Sequence, residues 1–310
     1  MTTLWQKSYA KYAEEMANNT ESHTLAARLL GTGAIRLRRY LRENDFAGIL
    51  CTHTFAAIML SRAMEKQPLD IPCALLFTDY TIYPFSTEQT LDNCCIAHED
   101  LIDLFTSCGI ERERLIVTGI PVRRVFRNPV PREIARKSLN VPEDAVNVVL
   151  MCGSMGCGPM EELARALAET LPENGLLTVC CGTNKKLLDA LERADLKNVR
   201  PLGFTRDVPL WLSSADLFIT KPGGLSTTEA ANHGTPLLLI NVVGGGETPN
   251  FRLFLEKGLA EGVEDAKDAP ALCRELLASP ARRAAMVERQ KAAFAEDAAL
   301  KIWRIFDPKA

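Results

Sequence analysis

The chain has 310 residues, of which 47% are hydrophobic, 24% charged and 6% aromatic, and it carries a net charge of −3 at pH 7. This composition is typical of a globular protein and excludes collagen-like, low-complexity and disordered chains. The nearly balanced charge gives no reason to expect a nucleic-acid partner.

The apolar runs are short and contain many of the ten cysteines. No run approaches the roughly 20 residues of a transmembrane helix, and residues 1–17 lack the apolar core of a signal peptide. Cys94 and Cys95 are adjacent on a predicted strand, where neighbouring side chains point to opposite faces, so they cannot pair with each other. With His98 they lack a fourth ligand at the spacing of a zinc site. We therefore expect free thiols, no metal and a cytoplasmic location.

The first part of the chain alternates a helical pattern with short apolar runs. We predict a helix over 24–42 and strands over 48–52, 73–79, 93–97 and 115–119. The strands are apolar on both faces, which is typical of parallel strands covered by helices.

Residues 121–147 carry four prolines and five arginines. Prolines at this density interrupt regular structure, so we predict an interdomain linker with one short helix.

The second part repeats the alternation of strands and helices and ends in a helical tail over 280–306. Predicted strands cover 146–153, 176–182, 199–203, 216–220, 237–241 and 259–262, and predicted helices cover 160–170, 185–194, 209–213, 226–232 and 250–256. This order predicts an α/β protein with parallel sheets. We predict a first domain over 1–122, a second over 123–282, and a C-terminal helix over 283–310 that packs back towards the first domain.

A glycine-rich turn joins the predicted strand 146–153 to the helix that follows it. Gly153, Ser154, Met155 and Gly156 form this turn. Glycine lets a ligand approach the backbone closely, and a helix N-terminus presents unpaired N–H groups. The turn predicts a diphosphate cradle, with a tight turn that binds nothing as the alternative.

Two further glycine-containing loops follow predicted strands of the second part. Gly223 and Gly224 precede Glu229, which is placed either to bind a diol such as ribose or to cap its helix. The third loop contains three consecutive glycines, followed by Glu247 and Asn250. Open α/β sheets bind ligands at the carboxyl ends of their strands, so we expect the three loops to share one site.

Five motifs resemble glycosyltransferase family 28, in particular its diacylglycerol glycosyltransferases and monogalactosyldiacylglycerol synthases. They are Phe77-Thr-Asp-Tyr80, Val117-Thr-Gly-Ile-Pro121, Lys221-Pro-Gly-Gly-Leu-Ser-Thr-Thr-Glu229, Gly234-Thr-Pro236 and Gly246-Glu-Thr-Pro-Asn250. The resemblance implies the GT-B fold, with two Rossmann-like domains, parallel sheets and a UDP-sugar held mainly by the second domain.

The resemblance also implies donor-binding roles. UDP-sugar is the donor substrate, and no cofactor is expected. Residues 153–156 resemble the phosphate-side loop, Phe204 the segment facing uracil, and Glu229 the ribose carboxylate. The full set assigned to the donor is Gly153, Ser154, Met155, Gly156, Phe204, Arg206, Gly223, Gly224, Leu225, Ser226, Thr227, Glu229, Gly246, Glu247 and Asn250. Arg206 can equally be a solvated loop charge.

Candidate catalytic residues lie in the first part of the chain. Asp79 is the best candidate base, with a loop cap as the alternative, and His53 is the second candidate. The resemblance implies direct displacement at the anomeric carbon, with helix termini and glycine loops stabilising the leaving UDP. No Asp-x-Asp metal motif occurs, so we expect a metal-independent reaction. His98 and His233 are interpreted as helix-capping residues.

The chain departs from the family near its beginning. Relatives have an early strand followed by a Gly-Gly-Gly-His loop that has no counterpart here. We therefore expect the first domain to be incomplete. The chain is then the product of a truncated gene, a fragment of a longer protein, or a protein whose partner chain supplies this segment. Arginines interleaved with apolar residues over 28–42 predict either a helix on an anionic membrane or an ordinary solvated face.

These observations predict a UDP-sugar-dependent hexosyltransferase that acts on a membrane lipid hydroxyl, that of diacylglycerol, at the inner face of the cell membrane. One alternative is a donor-binding subunit or inactive fragment that binds UDP-sugar without transfer. The other is an enzyme similar to UDP-N-acetylglucosamine 2-epimerase, which needs acidic and histidine side chains from both domains.

Overall fold

The computed structural model describes residues 24–65, 68–83, 85–241 and 245–307. Their side chains are described from residue 33 onward. The chain forms two compact units. The first consists of the chain up to Pro121 together with the residues from Asp297 on, and the second is Val122–Glu296.

The first unit is built on a parallel sheet whose four strands follow one another in chain order. The strands are β1 (Ile49–Cys51), β2 (Cys73–Leu76), β3 (Asn93–Ile96) and β4 (Leu115–Val117), and the helices before Pro121 are α1 (Thr24–Glu43), α2 (Thr54–Met64) and α3 (Ile102–Ser107). Every residue of β2 is buried, as expected for a strand covered on both faces.

The second unit contains a parallel sheet of six strands in the order β10-β9-β8-β5-β6-β7. These are β5 (Val146–Met151), β6 (Gly175–Gly182), β7 (Val199–Gly203), β8 (Leu217–Thr220), β9 (Leu237–Ile240) and β10 (Glu261–Val263). The chain order reverses between β5 and β8. Open α/β sheets bind ligands in the crevice at such a switch point.

Helices precede, connect and follow the strands of the second unit. They are α4 (Arg124–Arg127), α5 (Arg132–Leu139), α6 (Met160–Thr170), α7 (Lys185–Ala194), α8 (Val208–Ser214), α9 (Gly224–His233), α10 (Thr248–Glu256), α11 (Ala269–Ala278) and α12 (Pro280–Ala293). Short 3-10 turns are found at Ser86–Glu88, Glu99–Leu101, Arg112–Arg114, Gly245–Glu247 and Ala266–Asp268. All ten predicted strands are present, and α6 and α7 have the predicted bounds.

The segment 121–147 differs from its predicted form. It contains two helices, α4 and α5, and from Val122 onward it belongs to the second unit. Arg136 on α5 is only 1% exposed, and its guanidinium donates hydrogen bonds to the carbonyl oxygens of Ser214 and Ala145 and to the Asp216 carboxylate. The prediction of a linker with one short helix was therefore wrong, because this arginine is a buried donor that joins α5 to β8.

Arg127 holds the end of the second unit beside its beginning. Its guanidinium donates to the carbonyl oxygens of Ala295 and Glu296 at 3.1 and 3.0 Å, and to the Asn232 side chain at 2.9 Å. The first and last segments of the second unit are thus held next to each other.

The C-terminal helices divide between the two units. Met286 and Gln290 of α12 are buried in the second unit, and the Gln290 amide donates to the carbonyl oxygens of Thr235 and Leu259. The last helix, α13 (Ala298–Phe306), belongs to the first unit, where Ile302 packs in a cluster with residues of β2 and β3. The predicted C-terminal helix is therefore divided: within residues 283–307, the end of α12 belongs to the second unit and α13 belongs to the first.

All ten cysteines are free thiols. Burial raises the pKa of Cys95 and Cys180 to about 12, so these thiols stay protonated and unreactive at neutral pH. Among the helices of the described ranges, none has both the length and the hydropathy needed to cross a membrane.

Candidate functional site

The three loops predicted to bind the donor follow β5, β8 and β9, which are neighbours in the second sheet. Parallel strands end at the same edge, so the loops lie side by side at the switch point of the chain order. The first loop is 153–156, the second is 221–224, and the third is Gly245–Glu247. Residues 242–244, which were also predicted to belong to the third loop, lie outside the described residues.

The first loop is supported by the loop that follows β6. Gly153 and Gly156 have φ values of +75° and +55°, which L-residues rarely adopt. The Thr183 amide donates to the Ser154 carbonyl oxygen at 2.8 Å, and the Asn184 side chain donates to the Gly156 carbonyl oxygen at 3.2 Å. A Cβ atom on Gly182 would overlap the Ser154 carbonyl. Sequence reasoning missed this support, although Gly182 ends a predicted strand and Thr183 and Asn184 follow it.

Lys221 is the residue at which the three loops meet. Its Nζ atom forms an ion pair with Oε1 of Glu247 in the third loop. A Cβ atom on Gly153 would lie 3.1 Å from Cε of Lys221, and one on Gly223 would lie 3.4 Å from its Nζ. Both charged side chains are only about one-fifth exposed (19% and 20%). The sequence-derived site contained Glu247 but not Lys221, although Lys221 opens one of the motifs.

The Glu247 carboxylate uses only one of its oxygens in this ion pair. Its Oε2 atom is buried and accepts no hydrogen bond from any residue within the described ranges. An unsatisfied buried acceptor is unfavourable, so a hydrogen-bond donor from a ligand would be stabilising there.

The N-terminus of α9 follows the second loop. Thr227 is fully buried, and its hydroxyl donates to the Gly223 carbonyl oxygen at 2.8 Å, so the side chain braces its own helix. Leu225 is exposed and Ser226 is half-buried. The positive end of a helix dipole and its first-turn N–H groups favour a negatively charged group at such a position.

Asn250 on α10 is fully buried, and its side chain donates to the Pro222 carbonyl oxygen at 2.9 Å. This hydrogen bond fixes the backbone of the second loop. The contact of Asn250 with the sugar or phosphate stays a prediction. Gly246, in the third loop, is half-buried.

Glu229 lies one turn beyond the N-terminus of α9 and is half-buried. Burial raises the pKa of its carboxyl, and the charge of the nearby Arg123 acts in the opposite direction. The cation beside Glu229 was not predicted, because Arg123 was assigned to a linker.

The remaining donor-site candidates are exposed. Phe204 is 62% exposed and lies just beyond β7, together with the exposed Arg206. This is the same edge of the sheet as the three loops, but two strands away from β5. Ser154 and Met155 are exposed in the first loop. An exposed aromatic ring at a ligand-binding edge is suited to stacking on a base.

The two catalytic candidates belong to the first unit, at the carboxyl ends of β1 and β2. His53 caps α2, and its Nδ1 accepts a hydrogen bond from the Phe55 amide at 3.2 Å. A neutral His53 in this arrangement carries its proton on Nε2, where it can donate but not accept. His53, Phe55 and Tyr83 line a cavity of about 160 Å³, and the half-buried Asp79 directly follows another lining residue. His53 thus lines the cavity itself, and the role of Asp79 as the base stays a prediction.

The other histidines have structural roles. Nδ1 of His98 accepts a hydrogen bond from the Asp100 amide and caps a 3-10 turn. The buried His233 ring lies 2.9 Å from the hydroxyls of both Ser213 and Thr235, and burial lowers its pKa to about 4. It is therefore a neutral member of a buried network, and the predicted helix-capping role belongs to Gly234. In the described ranges, no group of three or more His, Cys, Asp or Glu side chains is arranged to hold a metal ion.

Two family models match the chain. One is described as monogalactosyldiacylglycerol (MGDG) synthase and matches residues 1–122. The other is the glycosyltransferase family 28 C-terminal domain, which matches residues 147–302, half of the chain.

Curated relatives cover most of the chain at moderate identity. A processive diacylglycerol beta-glucosyltransferase from Staphylococcus saprophyticus is 29% identical over 77% of the chain, and this match spans 62% of the relative. A probable chloroplastic monogalactosyldiacylglycerol synthase from Glycine max is 28% identical over 88% of the chain and spans 53% of the relative. The chain therefore spans about three-fifths of the length of the first relative and about half of the second.

Solved glycosyltransferase structures share the fold. MurG from Acinetobacter baumannii is similar with a TM-score of 0.61 and 17% identity, over 89% of this chain and 78% of that one. Anabaena HepE in complex with UDP-glucose gives a TM-score of 0.63 at 15% identity, over 89% and 81% of the two chains. These neighbours have the GT-B fold, in agreement with the two parallel sheets described above.

Proposed function

The chain belongs to glycosyltransferase family 28, and from this premise we propose that it transfers a hexose from a UDP-sugar to the hydroxyl of a membrane lipid, diacylglycerol. The observation that carries the proposal is the convergence of three loops on Lys221 at the switch point of the second sheet. Relatives named for transfer to diacylglycerol, over most of the chain, support the choice of acceptor.

The donor lies along the carboxyl edge of the second sheet. The first loop and the N-terminus of α9 bind the diphosphate through backbone N–H groups and the helix dipole. Glu229 accepts hydrogen bonds from the ribose hydroxyls, and the exposed Phe204 ring faces uracil. Glu247 accepts hydrogen bonds from the sugar.

Transfer is a direct displacement at the anomeric carbon. Asp79 takes the proton of the acceptor hydroxyl, whose oxygen forms a bond to this carbon while the bond to the phosphate oxygen of UDP breaks. The charge that develops on the leaving UDP is stabilised by the N–H groups of the glycine loops and by the end of α9. No metal ion takes part in this proposed reaction.

The acceptor is a lipid, so the protein works at a membrane surface as a peripheral protein. On α1, Ile35 and Tyr40 are 61% and 56% exposed, and three arginines at 36, 39 and 42 are exposed near them. Apolar and basic side chains on one exposed helix are suited to an anionic bilayer.

The proposal is tested by measuring UDP release from UDP-glucose and UDP-galactose with vesicles that contain diacylglycerol. Release that requires the lipid, together with a glycosylated lipid product, is the expected result. Nucleotide binding without release would instead support the donor-binding alternative, and isomerisation of the sugar nucleotide without lipid would support an epimerase.

A matched pair of variants tests the donor site directly. Glu229→Ala removes a charged hydrogen-bond acceptor and is expected to weaken UDP binding by roughly 1.5–3 kcal/mol. Glu169→Ala removes an exposed carboxylate at the far end of α6 and should leave UDP binding unchanged. Equal UDP affinities of the two variants would contradict the ribose assignment.

A further inference from the structure

Lys221 is held by Glu247 at the position where the proposed donor brings negative charge. It follows β8, beside the switch point, and its ion pair spans the second and third loops. Gly153 provides space beside its side chain, since a Cβ atom there would crowd Cε at 3.1 Å, and a Cβ atom on Gly223 would only reach ordinary contact with Nζ at 3.4 Å. The lysine side chain can therefore change direction without displacing another side chain at those two positions.

Glu247 has an electrostatic conflict with a diphosphate. A carboxylate close to phosphate oxygens is repelled unless a cation lies between them. Its Oε1 atom is neutralised by Lys221, while the buried Oε2 accepts no hydrogen bond within the part of the chain that the structure describes. One oxygen of the carboxylate is thus paired with a cation, and the other lacks a hydrogen-bond donor among the described residues.

We propose that Lys221 and Glu247 exchange partners when the donor binds. The Lys221 ammonium turns from Glu247 to the β-phosphate, and the Glu247 carboxylate accepts hydrogen bonds from the sugar hydroxyls in its place. Lys221 is then a positioning residue that couples diphosphate binding to sugar recognition. This inference rests on the proposed function, because it assumes a UDP-sugar at this edge of the sheet.

The exchange predicts that the two single variants change UDP affinity in opposite directions. A purely structural ion pair predicts a loss of UDP affinity in both. Lys221→Met should weaken UDP binding roughly 10- to 100-fold, the loss of one charge-assisted contact, and should leave UMP binding unchanged because UMP lacks the β-phosphate. Glu247→Gln should strengthen UDP binding, because Lys221 no longer has a competing partner. The same variant should lower the ratio of UDP-glucose affinity to UDP affinity.

The experiment is isothermal titration of the full chain with UDP, UMP and UDP-glucose. Lys291→Met, which removes a lysine from the exposed Lys291–Glu288 pair on α12, is the matched control and should bind UDP as the wild type does. Lys221→Arg keeps the charge and should restore most of the lost UDP affinity. The double variant, Lys221→Met with Glu247→Gln, should bind UDP more tightly than Lys221→Met alone, because no unpaired carboxylate repels the diphosphate, but less tightly than Glu247→Gln, which keeps the Lys221 ammonium.

Loss of UDP affinity in both single variants would overturn the exchange and show that the pair only braces the loops. Equal effects of Lys221→Met and Lys291→Met would also overturn it. If the wild type binds UDP but the opposite signs are not observed, this inference alone fails. If the wild type binds neither UDP nor UDP-glucose, the proposed function fails as well. If Lys221→Met does not fold, two measurements still test the exchange. They are the direction in which Glu247→Gln changes UDP affinity and the UDP affinity of Lys221→Arg.

Discussion

Glu229 shows how a side chain suited to a ligand can oppose folding. The carboxyl is half-buried on α9, and this burial raises its pKa above the ordinary value of 4.5 despite the charge of Arg123. A raised pKa in the folded state means that the protonated form favours folding and that this contribution is lost as the pH rises through the folded pKa. Above its folded-state pKa the carboxylate therefore destabilises the chain, and the hydrogen bonds proposed from a ligand would offset this cost.

We accordingly expect Glu229→Gln to raise the melting temperature at neutral pH. The gain should shrink as the pH falls towards 4.5, because the wild-type carboxyl is then protonated and no longer differs from the amide in charge. Thermal unfolding of both proteins across this pH range measures the effect. A gain that stays constant with pH would show that the ionisation of Glu229 is not its cause.

Asp79 carries a separate prediction, because it belongs to the first unit. Asp79→Asn removes the proposed base and should lower the rate of UDP release roughly 10²- to 10⁴-fold while UDP affinity is unchanged. The matched control is Asp92→Asn, an exposed carboxylate just before β3, at the opposite edge of the sheet. An undiminished rate in Asp79→Asn would exclude Asp79 as the base.

Positions within an element were predictable from the sequence where they depend on local neighbours. Glu229 lies, as predicted, one turn into a helix that follows two glycines, and its contact with ribose stays a prediction. The pairing of Lys221 with Glu247 was not predictable, because the residues are 26 positions apart and meet only through the strand order. The hydrogen bond from the Asn250 side chain to the Pro222 carbonyl oxygen likewise could not be predicted before the fold was known.

At the scale of elements, amphipathic helices with long apolar stripes were predicted to the residue, as α6 and α7 show. Helices α4 and α5 were obscured by the prolines around them. Pro131 in fact caps α5, and Asn140 ends it in the left-handed conformation with φ of +51°. Proline before a helix and a left-handed residue after it are ordinary helix boundaries, so the prolines mark the ends of elements and not their absence.

The support of the first loop by the loop after β6 makes Gly182 sensitive to substitution. Gly182→Ala and Gly234→Ala both place an L-residue at positive φ, +59° and +76°, which costs roughly 1–2 kcal/mol. Only the Gly182 Cβ atom would overlap another group, the Ser154 carbonyl, whereas the nearest side chain to Gly234 is at an ordinary 3.6 Å. Gly182→Ala should therefore lower the melting temperature further than Gly234→Ala, and should also weaken UDP binding. Equal losses of stability would show that the first loop can move aside.

For the whole molecule, the C-terminal helix is the element whose place depends most on distant contacts. Ile302 of α13 packs with Ala74, Leu76 and Cys95 on the first sheet, which is remote from it in sequence. The composition of the tail predicted a helix but not its division at residues 294–297, because that division follows from which unit covers each apolar face.

Truncation of Ile302 tests how much this packing contributes. Ile302→Ala should lower the free energy of unfolding of the first unit by roughly 2–5 kcal/mol, as for other buried aliphatic side chains. Leu300→Ala, on the same helix but 55% exposed, should change it by less than about 0.5 kcal/mol. Urea unfolding of the two variants compares them, and similar midpoints would show that α13 does not stabilise the sheet.

The clamp made by Arg127 has a practical consequence for dissecting this protein. Because one side chain holds residues 295 and 296 close to the start of the second unit, that unit is a continuous stretch of backbone whose two ends are neighbours. Such a stretch can be excised, circularised or grafted into another scaffold without long connecting peptides. The proposed binding of UDP can then be measured on the second unit by itself.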